Sequence, residues 1–299
     1  MTLLKKAQST HKRFNTRAGR AFDVLNIVLL TGVGLLAILP FVYVLAGSFA
    51  TELEITTRPF FVWPNEFTTA SYESILSSDV IVRAFATTVA VTFVGTAVQL
   101  ALTVLMAYPL AKPDLPGRRT ILSLVVFTMV FSAGMIPTFL VVKDLGLLDS
   151  YWSLILPMAI NPFSLIIIKN FFQQLPHELE ESAKIDGANE LQVLRHVVIP
   201  LSKPVLATFA LFYAVGIWND YLSPLLYLSD TSKWTLQMIL RQVTAAASLS
   251  ADELNSDVPP PAQGIKFAVV IIATIPVLLA YPFLQKHFAK GMLIGSVKG

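Results

Sequence analysis

Long apolar runs dominate the chain and alternate with short polar segments. The clearest run extends from Ala84 to Ala111, 28 residues without one charged side chain, whereas a helix needs only about 20 apolar residues to cross a bilayer core. The runs are continuous and lack the two-residue alternation that is typical of barrel strands. The pattern therefore predicts an all-α integral membrane protein with six transmembrane helices, at residues 24–50, 84–111, 120–142, 150–168, 204–228 and 267–285.

The basic residues are unevenly distributed between the two sides of these spans. If the N-terminus is cytoplasmic, 16 of the 22 Lys and Arg residues lie on the inner side and 6 on the outer side. Basic residues accumulate in cytoplasmic loops of membrane proteins. We therefore expect the N- and C-termini to be cytoplasmic. The first apolar run is too long for a cleaved secretory signal, so we interpret it as an uncleaved anchor.

Composition agrees with a membrane protein and excludes several other classes. Hydrophobic residues make up 55% of the chain, charged residues only 14%, and the mean hydropathy is +0.66. A soluble domain carries about twice that charge. The net charge of +3 does not indicate nucleic acid, because the basic residues flank apolar runs. With no cysteine and four scattered histidines, we expect no metal site.

The spans divide the chain into four regions. We expect an N-terminal cytoplasmic tail, a first helix with its external loop, a core of five helices, and a C-terminal cytoplasmic tail. Two loops within the core are long, the inner loop 173–203 and the external loop 229–266. The regions are residues 1–23, 24–80, 81–285 and 286–299.

The inner loop has the sequence features of two short helices. The first helix opens at Leu175-Pro176, where proline costs no hydrogen bond, and its first turns are acidic, which suits the helix dipole. Glu180 and Lys184 have the spacing of a favourable ion pair along a helix. Asp186-Gly187 then predicts the end of the helix, because glycine adopts the left-handed conformation found there.

The second loop helix is predicted to begin at Asn189. Gln192 completes a capping box with it, and Leu191, Leu194 and Val198 have the spacing of one apolar stripe. Pro200 is expected to end this helix just before the fifth span. Taken alone, the pattern is also typical of two helices that simply lie on the membrane surface.

The residues of this loop carry a specific resemblance. Glu181-Ser182-Ala183-Lys184-Ile185-Asp186-Gly187-Ala188, followed by Val198-Ile199-Pro200-Leu201-Ser202-Lys203-Pro204, resembles the EAA signature of permease subunits from ABC importers. Ser182 replaces the first alanine of the signature. Further segments are similar to the carbohydrate-importer branch, and the C-terminus resembles that of the maltose-type smaller permease subunit. These segments are Tyr108–Lys112, Asp144–Leu147, Lys169–Phe172 and Gly291–Gly299. The nearest subgroup is that of permeases for complex oligosaccharides and oligouronides.

The resemblance implies a role for the loop and for the C-terminal tail. In this family the loop is a coupling helix that seats in a cleft of a cytoplasmic ATPase. Glu181 would meet a basic residue of the ATPase, and Gly187 would supply the bend. The implied coupling residues are Glu181, Ala183, Asp186, Gly187 and Ala188. The implied ATPase-contacting tail is Gly295, Ser296, Val297, Lys298 and Gly299.

The resemblance also implies the partners. The chain would be a transport subunit of a prokaryotic cell membrane and not an enzyme, moving an oligosaccharide by alternating access, with an acidic oligouronide left open. Its partners would be a second permease subunit, an extracytoplasmic solute-binding protein, membrane lipid and two ATPase subunits. ATP and Mg would be bound by those ATPase subunits, since this chain lacks a phosphate-binding G-x-x-x-x-G-K-[ST] loop. No cofactor is expected in this chain, and no nucleic acid.

The alternative from another class is an ion-coupled secondary sugar transporter. Such a protein would need a relay of ionisable residues inside the membrane, and only Asp220 approaches that description.

Polar and aromatic residues within the spans are candidates for the substrate path, because polar groups are expensive in a membrane. Aromatic faces combined with amide or carboxylate groups are typical of sugar sites. The candidates are Asn161, Tyr213, Trp218, Asn219, Asp220 and Tyr221. The same residues would equally fit an interfacial aromatic belt and polar helix packing. Whether loop 229–266 enters the binding protein also stays open.

Overall fold

The computed structural model describes residues 17–246 and 263–295, and every regular element among them is helical. The α-helices are α1 (Arg17–Ser48), α2 (Glu52–Thr57), α3 (Ala70–Leu76), α4 (Asp79–Ala111), α5 (Arg118–Val130), α6 (Met135–Asp144), α7 (Trp152–Ile155), α8 (Pro162–Gln173), α9 (His177–Ile185), α10 (Glu190–Val193), α11 (Ile199–Leu201), α12 (Lys203–Trp218), α13 (Leu222–Tyr227), α14 (Leu236–Ala246) and α15 (Gln263–Gly295). Short 3-10 turns lie at Leu156–Met158 and Thr231–Lys233, and a π-helical turn lies at Leu194–Val198.

Two of the predicted spans are single unbroken helices over their whole described length. The most apolar 18-residue stretch within Ala21–Ser48 of α1 has a mean hydropathy of 2.5, and that of α4, a helix of 33 residues, has a mean hydropathy of 2.0. The predicted sixth span lies within α15, which begins a little earlier than expected, at Gln263. Each of these helices is long enough to cross a bilayer.

The third predicted span is wrong as a continuous helix. Residues 120–142 form parts of α5 and α6, whose axes meet at 118°. The break falls at residues 131–134, where Gly134 has a φ of +83°, a conformation that glycine adopts without strain. Apolar composition alone could not reveal this turn, because both arms are apolar.

The fourth predicted span is bent in its middle. Asn161-Pro162 separates the helical turns of residues 152–158 from α8, and the two arms meet at 55°. The Asn161 side chain accepts a hydrogen bond from the Ser164 N–H at 3.0 Å, so it caps α8. Pro162 follows as the first helical residue, where a missing N–H costs nothing.

The fifth predicted span is shorter than expected. Helix α12 ends at Trp218, and α13 begins only at Leu222. The Asp220 carboxylate accepts hydrogen bonds from the N–H groups of Leu222 and Ser223, at 3.0 and 3.1 Å. Asp220 therefore serves as a cap between two helices, which explains a carboxylate inside an apolar run.

Helix α4 is the centre of the described structure. It packs along α8 and α12, and its other neighbours include α7 and α14. The largest apolar cluster joins its second half to α8, α10 and α12, and its fully buried members include Ala107, Ile168, Val193 and Val198. Helix α1 lies at the periphery against α15, and no residue of its most apolar 18-residue stretch is buried, as in a lipid-facing helix.

The contact between α1 and α15 depends on one small residue. A Cβ atom on Gly47 would lie 2.5 Å from the Phe267 ring, so we expect Gly47→Ala to force the helices apart. Overpacking of this kind typically costs about 1–3 kcal/mol. The thermal unfolding temperature of the detergent-purified protein should fall.

Gly34→Ala is the matched control, because it lies on the same helix with nothing within 4 Å of its added Cβ. It should leave that temperature unchanged or raise it slightly, since alanine favours the helix. A Gly47→Ala protein as stable as the wild type would show that these helices do not meet at this point.

Candidate functional site

The loop 173–203 contains the two helices that the sequence predicts. Helix α9 ends at Ile185, and Gly187 follows with a φ of +86°. The Gly187 N–H donates to the Lys184 carbonyl at 3.0 Å, and the Ala188 N–H donates to the Ala183 carbonyl at 2.9 Å. These two bonds form a Schellman motif. Gly187 therefore ends α9 and turns the chain, as predicted, although Pro176 precedes the helix as its N-cap.

The start of the second loop helix is also confirmed. The Gln192 N–H donates to the Asn189 side chain at 2.9 Å, and the Asn189 N–H donates to the Gln192 side chain at 2.8 Å. This reciprocal pair is a capping box. The loop therefore enters α10 with a fixed geometry immediately after the turn at Gly187.

The end of the second loop helix differs from the prediction. Pro200 does not end the helix, which continues to Leu201 and then meets α12 at 85°. Since Pro200 has no N–H to donate, the hydrogen-bond ladder before it shifts to π spacing, and the Ile199 N–H donates to the Leu194 carbonyl.

The predicted apolar stripe of the second helix is only partly correct. Leu194 and Val198 are buried, but Leu191 is 66% exposed. Val193 is fully buried in its place, because the π-helical turn changes which side chains share a face.

Five side chains connect the loop to the end of α4, and we refer to them as the α4–loop network. Lys112 forms an ion pair with Glu180 on α9. The Tyr108 hydroxyl donates to the Glu190 carboxylate on α10 at 2.6 Å, and Lys184 pairs with the other oxygen of Glu190 at 2.5 Å. The Lys112 ammonium lies 4.7 Å from the centre of the Tyr108 ring, within the range of a cation–π contact.

The network corrects one prediction of the sequence. Glu180 and Lys184 do not pair with each other along α9. Glu180 bonds across to α4, and Lys184 bonds across the turn to α10. Hydrogen bonds from Lys184 and Tyr108 hold the pKa of Glu190 below its usual range, so this carboxylate is charged at neutral pH.

A groove of about 500 Å³ lies beside the network, between the end of α4 and α10. Its wall includes Leu105 and Leu191 as well as members of the network.

The implied coupling residues occupy the outer side of the loop. Glu181 is exposed and its carboxylate has no hydrogen bond or ion pair among the described residues, and Asp186 and Gly187 are also exposed. Ala183 and Ala188 are half-buried and pack against the main apolar cluster. Small residues at these two positions let the turn lie close to the helices beneath it.

Sequence reasoning missed two residues of this loop. Ile185 is 86% exposed, although an isoleucine is usually buried, and it lies one helical turn after Glu181. Glu180 is buried, at 9% exposure. The signal for Ile185 was present, since a large apolar residue stands between Lys184 and Asp186 in a polar stretch. Glu180 gave no such signal, because its partner is distant in sequence.

The predicted ATPase-contacting tail lies almost entirely outside the described residues. Gly295 is the last residue of α15, whereas Ser296, Val297, Lys298 and Gly299 are not among the described residues.

Two of the substrate-path candidates make their polar contacts inside the protein. The Trp218 indole N–H donates to the Ala273 carbonyl at 2.9 Å, and the ring is buried. The Tyr213 hydroxyl shares a buried hydrogen bond of 2.9 Å with Thr103. Both side chains thus hold helices together.

The remaining candidates lie at helix ends. Asn161 and Asp220 act as caps, as described above, and the Asn219 side chain donates to the Val215 carbonyl at 3.0 Å. Tyr221 is 38% exposed, and the Arg241 guanidinium lies over its ring at 4.7 Å. Tyr221 and Arg241 together present an accessible aromatic face and a positive charge.

The first part of loop 229–266 is ordered by specific contacts. The Asp149 carboxylate accepts hydrogen bonds from the N–H groups of Ser229 and Asp230, at 2.7 and 2.9 Å. The Leu236 N–H, at the start of α14, donates to the Thr88 hydroxyl at 2.8 Å. Residues 229–246 are therefore anchored to the helices, and residues 247–262 lie outside the described part of the chain.

Comparison with known proteins places these features among transport proteins. Residues 99–294 match the family described as "Binding-protein-dependent transport system inner membrane component". The chain is 62% identical over 292 residues to protein LplC of Bacillus subtilis (strain 168), covering 97% of this chain and 99% of LplC. It is 55% identical over 283 residues to the polygalacturonan/rhamnogalacturonan transport system permease protein YtcP of the same organism, covering 94% and 99%.

Solved structures show the same fold. A chain from the crystal structure of a bacterial ABC transporter involved in the import of the acidic polysaccharide alginate matches with a TM-score of 0.85 and 34% identity, covering 92% of this chain and 99% of that one. A chain from the alginate transporter in complex with a pentasaccharide-bound periplasmic protein matches with a TM-score of 0.55 at 14% identity, which concerns the fold alone.

The capping box makes a local prediction about the loop. Asn189→Ala should remove the bond to the Gln192 N–H and cost about 1 kcal/mol of helix stability. Amide hydrogen exchange across residues 189–193 should then become roughly fivefold faster. Asn189→Ser keeps a capping oxygen and should exchange nearly as slowly as the wild type. Equal exchange in all three proteins would mean that the cap does not stabilise α10.

Proposed function

Because the chain belongs to the family of binding-protein-dependent transport system inner membrane components, we propose that it couples to an ATPase through the outer side of its 176–200 loop. As a member of this family it is a multi-pass bacterial inner-membrane permease, a transport subunit of an ATP-driven importer and not an enzyme or an ion-coupled secondary transporter. The proposal concerns which surface is used, what it contacts and which substrate is carried.

The exposed pair Glu181 and Ile185 carries this proposal. The two residues are four positions apart on one helix, so their side chains share a face. Neither side chain makes a hydrogen bond or ion pair among the described residues, and Ile185 is 86% exposed. A cleft with a basic group and an apolar floor would satisfy both, and the turn at Gly187 presents them at the edge of the molecule.

We assign the rest of the assembly by the same reasoning. One chain provides one coupling loop, so two ATPase subunits require a second permease subunit, and we propose a related but different chain. ATP and Mg would be held by the ATPase subunits. The excess of basic residues on the loop side supports an orientation with that loop and both termini in the cytoplasm. The tail Gly295–Gly299 would then lie on the ATPase side.

We propose that the substrate is an acidic oligosaccharide delivered by an extracytoplasmic binding protein. The names of YtcP and of the alginate transporter refer to polysaccharides built from uronic acids, whose carboxylates need positive partners. For the path in this chain, the contacts of Trp218 and Tyr213 support a packing role. Tyr221 with Arg241 offers the sugar an aromatic face and a cation, and Asn161, Asn219 and Asp220 act by shaping the helix ends around it.

The docking surface can be tested in the assembled transporter. Glu181→Arg should weaken a charge-assisted contact whose loss costs about 2–5 kcal/mol, and Ile185→Asp should remove the apolar contact. We expect less ATPase subunit to co-purify with either variant, and ATP-driven uptake to fall at least roughly tenfold. Gly187→Pro should also abolish uptake, because proline cannot adopt the positive φ of the turn.

Asp114→Arg is the control for these variants. It reverses an exposed acidic residue between α4 and α5, outside the 176–200 loop, and should leave co-purification unchanged. Normal uptake by Glu181→Arg, Ile185→Asp and Gly187→Pro would refute the docking surface.

The substrate class can be tested with a pair of ligands that differ only in charge. Oligogalacturonides should raise the thermal unfolding temperature of the cognate binding protein, and their methyl esters should not. At a ligand concentration of about 100 Kd the stabilisation would be about 2.7 kcal/mol. Stabilisation by neutral oligosaccharides alone would exclude an acidic substrate.

A further inference from the structure

The α4–loop network joins parts of the chain that the backbone does not connect. In the sequence, the loop directly follows α8 and directly precedes α12. Helix α4 ends at Ala111, far earlier in the sequence. Any motion of the loop therefore reaches α8 and α12 through the chain itself, but it reaches α4 only through contacts.

Two kinds of contact are present at this junction. Apolar side chains of α10 and the π-helical turn pack beside Ala107 in the main cluster, and the Gln173 side chain donates to the Ala111 carbonyl at 3.2 Å. Apolar packing is non-directional, so it alone would let the loop slide along α4. The ion pair of Lys112 with Glu180 and the hydrogen bond of Tyr108 to Glu190 fix the position directly.

The network holds both arms of the bent loop at once. Glu180 lies on α9, before the turn at Gly187, and Glu190 lies on α10, after it. Lys184 closes the gap between the arms by pairing with Glu190. Because both arms are tied to the last turn of α4 and to each other, the turn cannot open without breaking at least one charged contact.

Helix α4 extends from the α4–loop network to the other end of the molecule. It is unbroken over 33 residues, and about 30 Å separates Tyr108 from Thr88 at 1.5 Å per residue. There the Thr88 hydroxyl accepts the N–H of Leu236, the first residue of α14. α14 belongs to the 229–266 loop, so α4 bridges the two loops.

We propose that Lys112, Glu180, Tyr108 and Glu190 are positioning residues that make α4 move with the coupling loop. The network is the joint by which a displacement of the loop is passed to α4, and through α4 to α14 at the opposite face. This inference rests on the proposed function, because it assumes that an ATPase moves the loop. It adds the internal path by which that movement leaves the loop.

The test is a charge swap in the complete transporter, reconstituted in proteoliposomes with its partner permease, ATPase subunits and binding protein. Lys112→Glu and Glu180→Lys each place two like charges together in a half-buried site. Each should lower the stimulation of ATPase activity by the loaded binding protein, and uptake, at least about threefold. The double variant Lys112→Glu/Glu180→Lys restores an opposite pair and should return both to within about twofold of the wild type.

Tyr108→Phe provides a milder variant that removes one hydrogen bond and keeps the ring. It should lower the stimulated activity less than the charge reversals do. Arg119→Glu is the matched control, a charge reversal at the start of α5 on an exposed residue without a hydrogen bond or ion pair among the described residues. It should leave the stimulation unchanged.

Stimulation of ATPase activity and co-purification of the ATPase together distinguish failure of this proposal from failure of the proposed function. The proposal would be overturned if both single reversals left the stimulation of ATPase activity unchanged. It would also be overturned if the double variant were no more active than the worse single variant. Loss of the ATPase from the purified complex in a single variant, restored by the swap, would also overturn it, because the network would then only shape the docking surface. If Glu181→Arg leaves docking and uptake normal, the proposed function itself fails, whatever the swap shows.

Discussion

The buried carboxylate of Glu180, which lies next to the C-terminal end of α4, governs how the functional loop is arranged. Glu180 is withdrawn from solvent, and leaving it unpaired there would cost far more than an exposed ion pair contributes. Lys112, which directly follows the last residue of α4, supplies the opposite charge. Once this pair forms, α9 must lie across the end of α4 in one register. The neighbouring Glu181 and Ile185 are then turned outward.

The same arrangement explains how the two helices of the loop are held in place. A Schellman motif at Gly187 and a capping box at Asn189 satisfy the backbone groups on both sides of the turn. Neither motif could hold the loop against the helices by itself, since both are local. The charged contacts to α4 and the burial of Val193 and Val198 supply that attachment. The loop is therefore firmly attached to the helices and suited to transmit force to them.

In contrast to this loop, three pairs of successive apolar helices among the described residues are bent at a short break. The bends after α5, before α8 and before α12 lie around an unbroken α4, so the helices next to it contain angles at which they could reorient. Gly134 lies at the first of these bends, Asn161-Pro162 at the second and Ser202 at the third. A permease that alternates between two states needs both a straight helix that moves as one unit and neighbours that can change direction.

The sequence by itself determined the approximate place of the apolar segments, the two loop helices, the turn at Gly187 and the capping box at Asn189. These features depend on residues within a few positions of each other, and so does the EAA resemblance that pointed to the family. Only the tertiary structure decided which charges pair, that Leu191 is exposed while Val193 is buried, and that the third span turns through 118°. Lys112 and Glu180 lie in different elements, and no spacing rule relates them. Their contact exists because α4 and α9 are brought together by packing, a long-range outcome that local patterns do not encode.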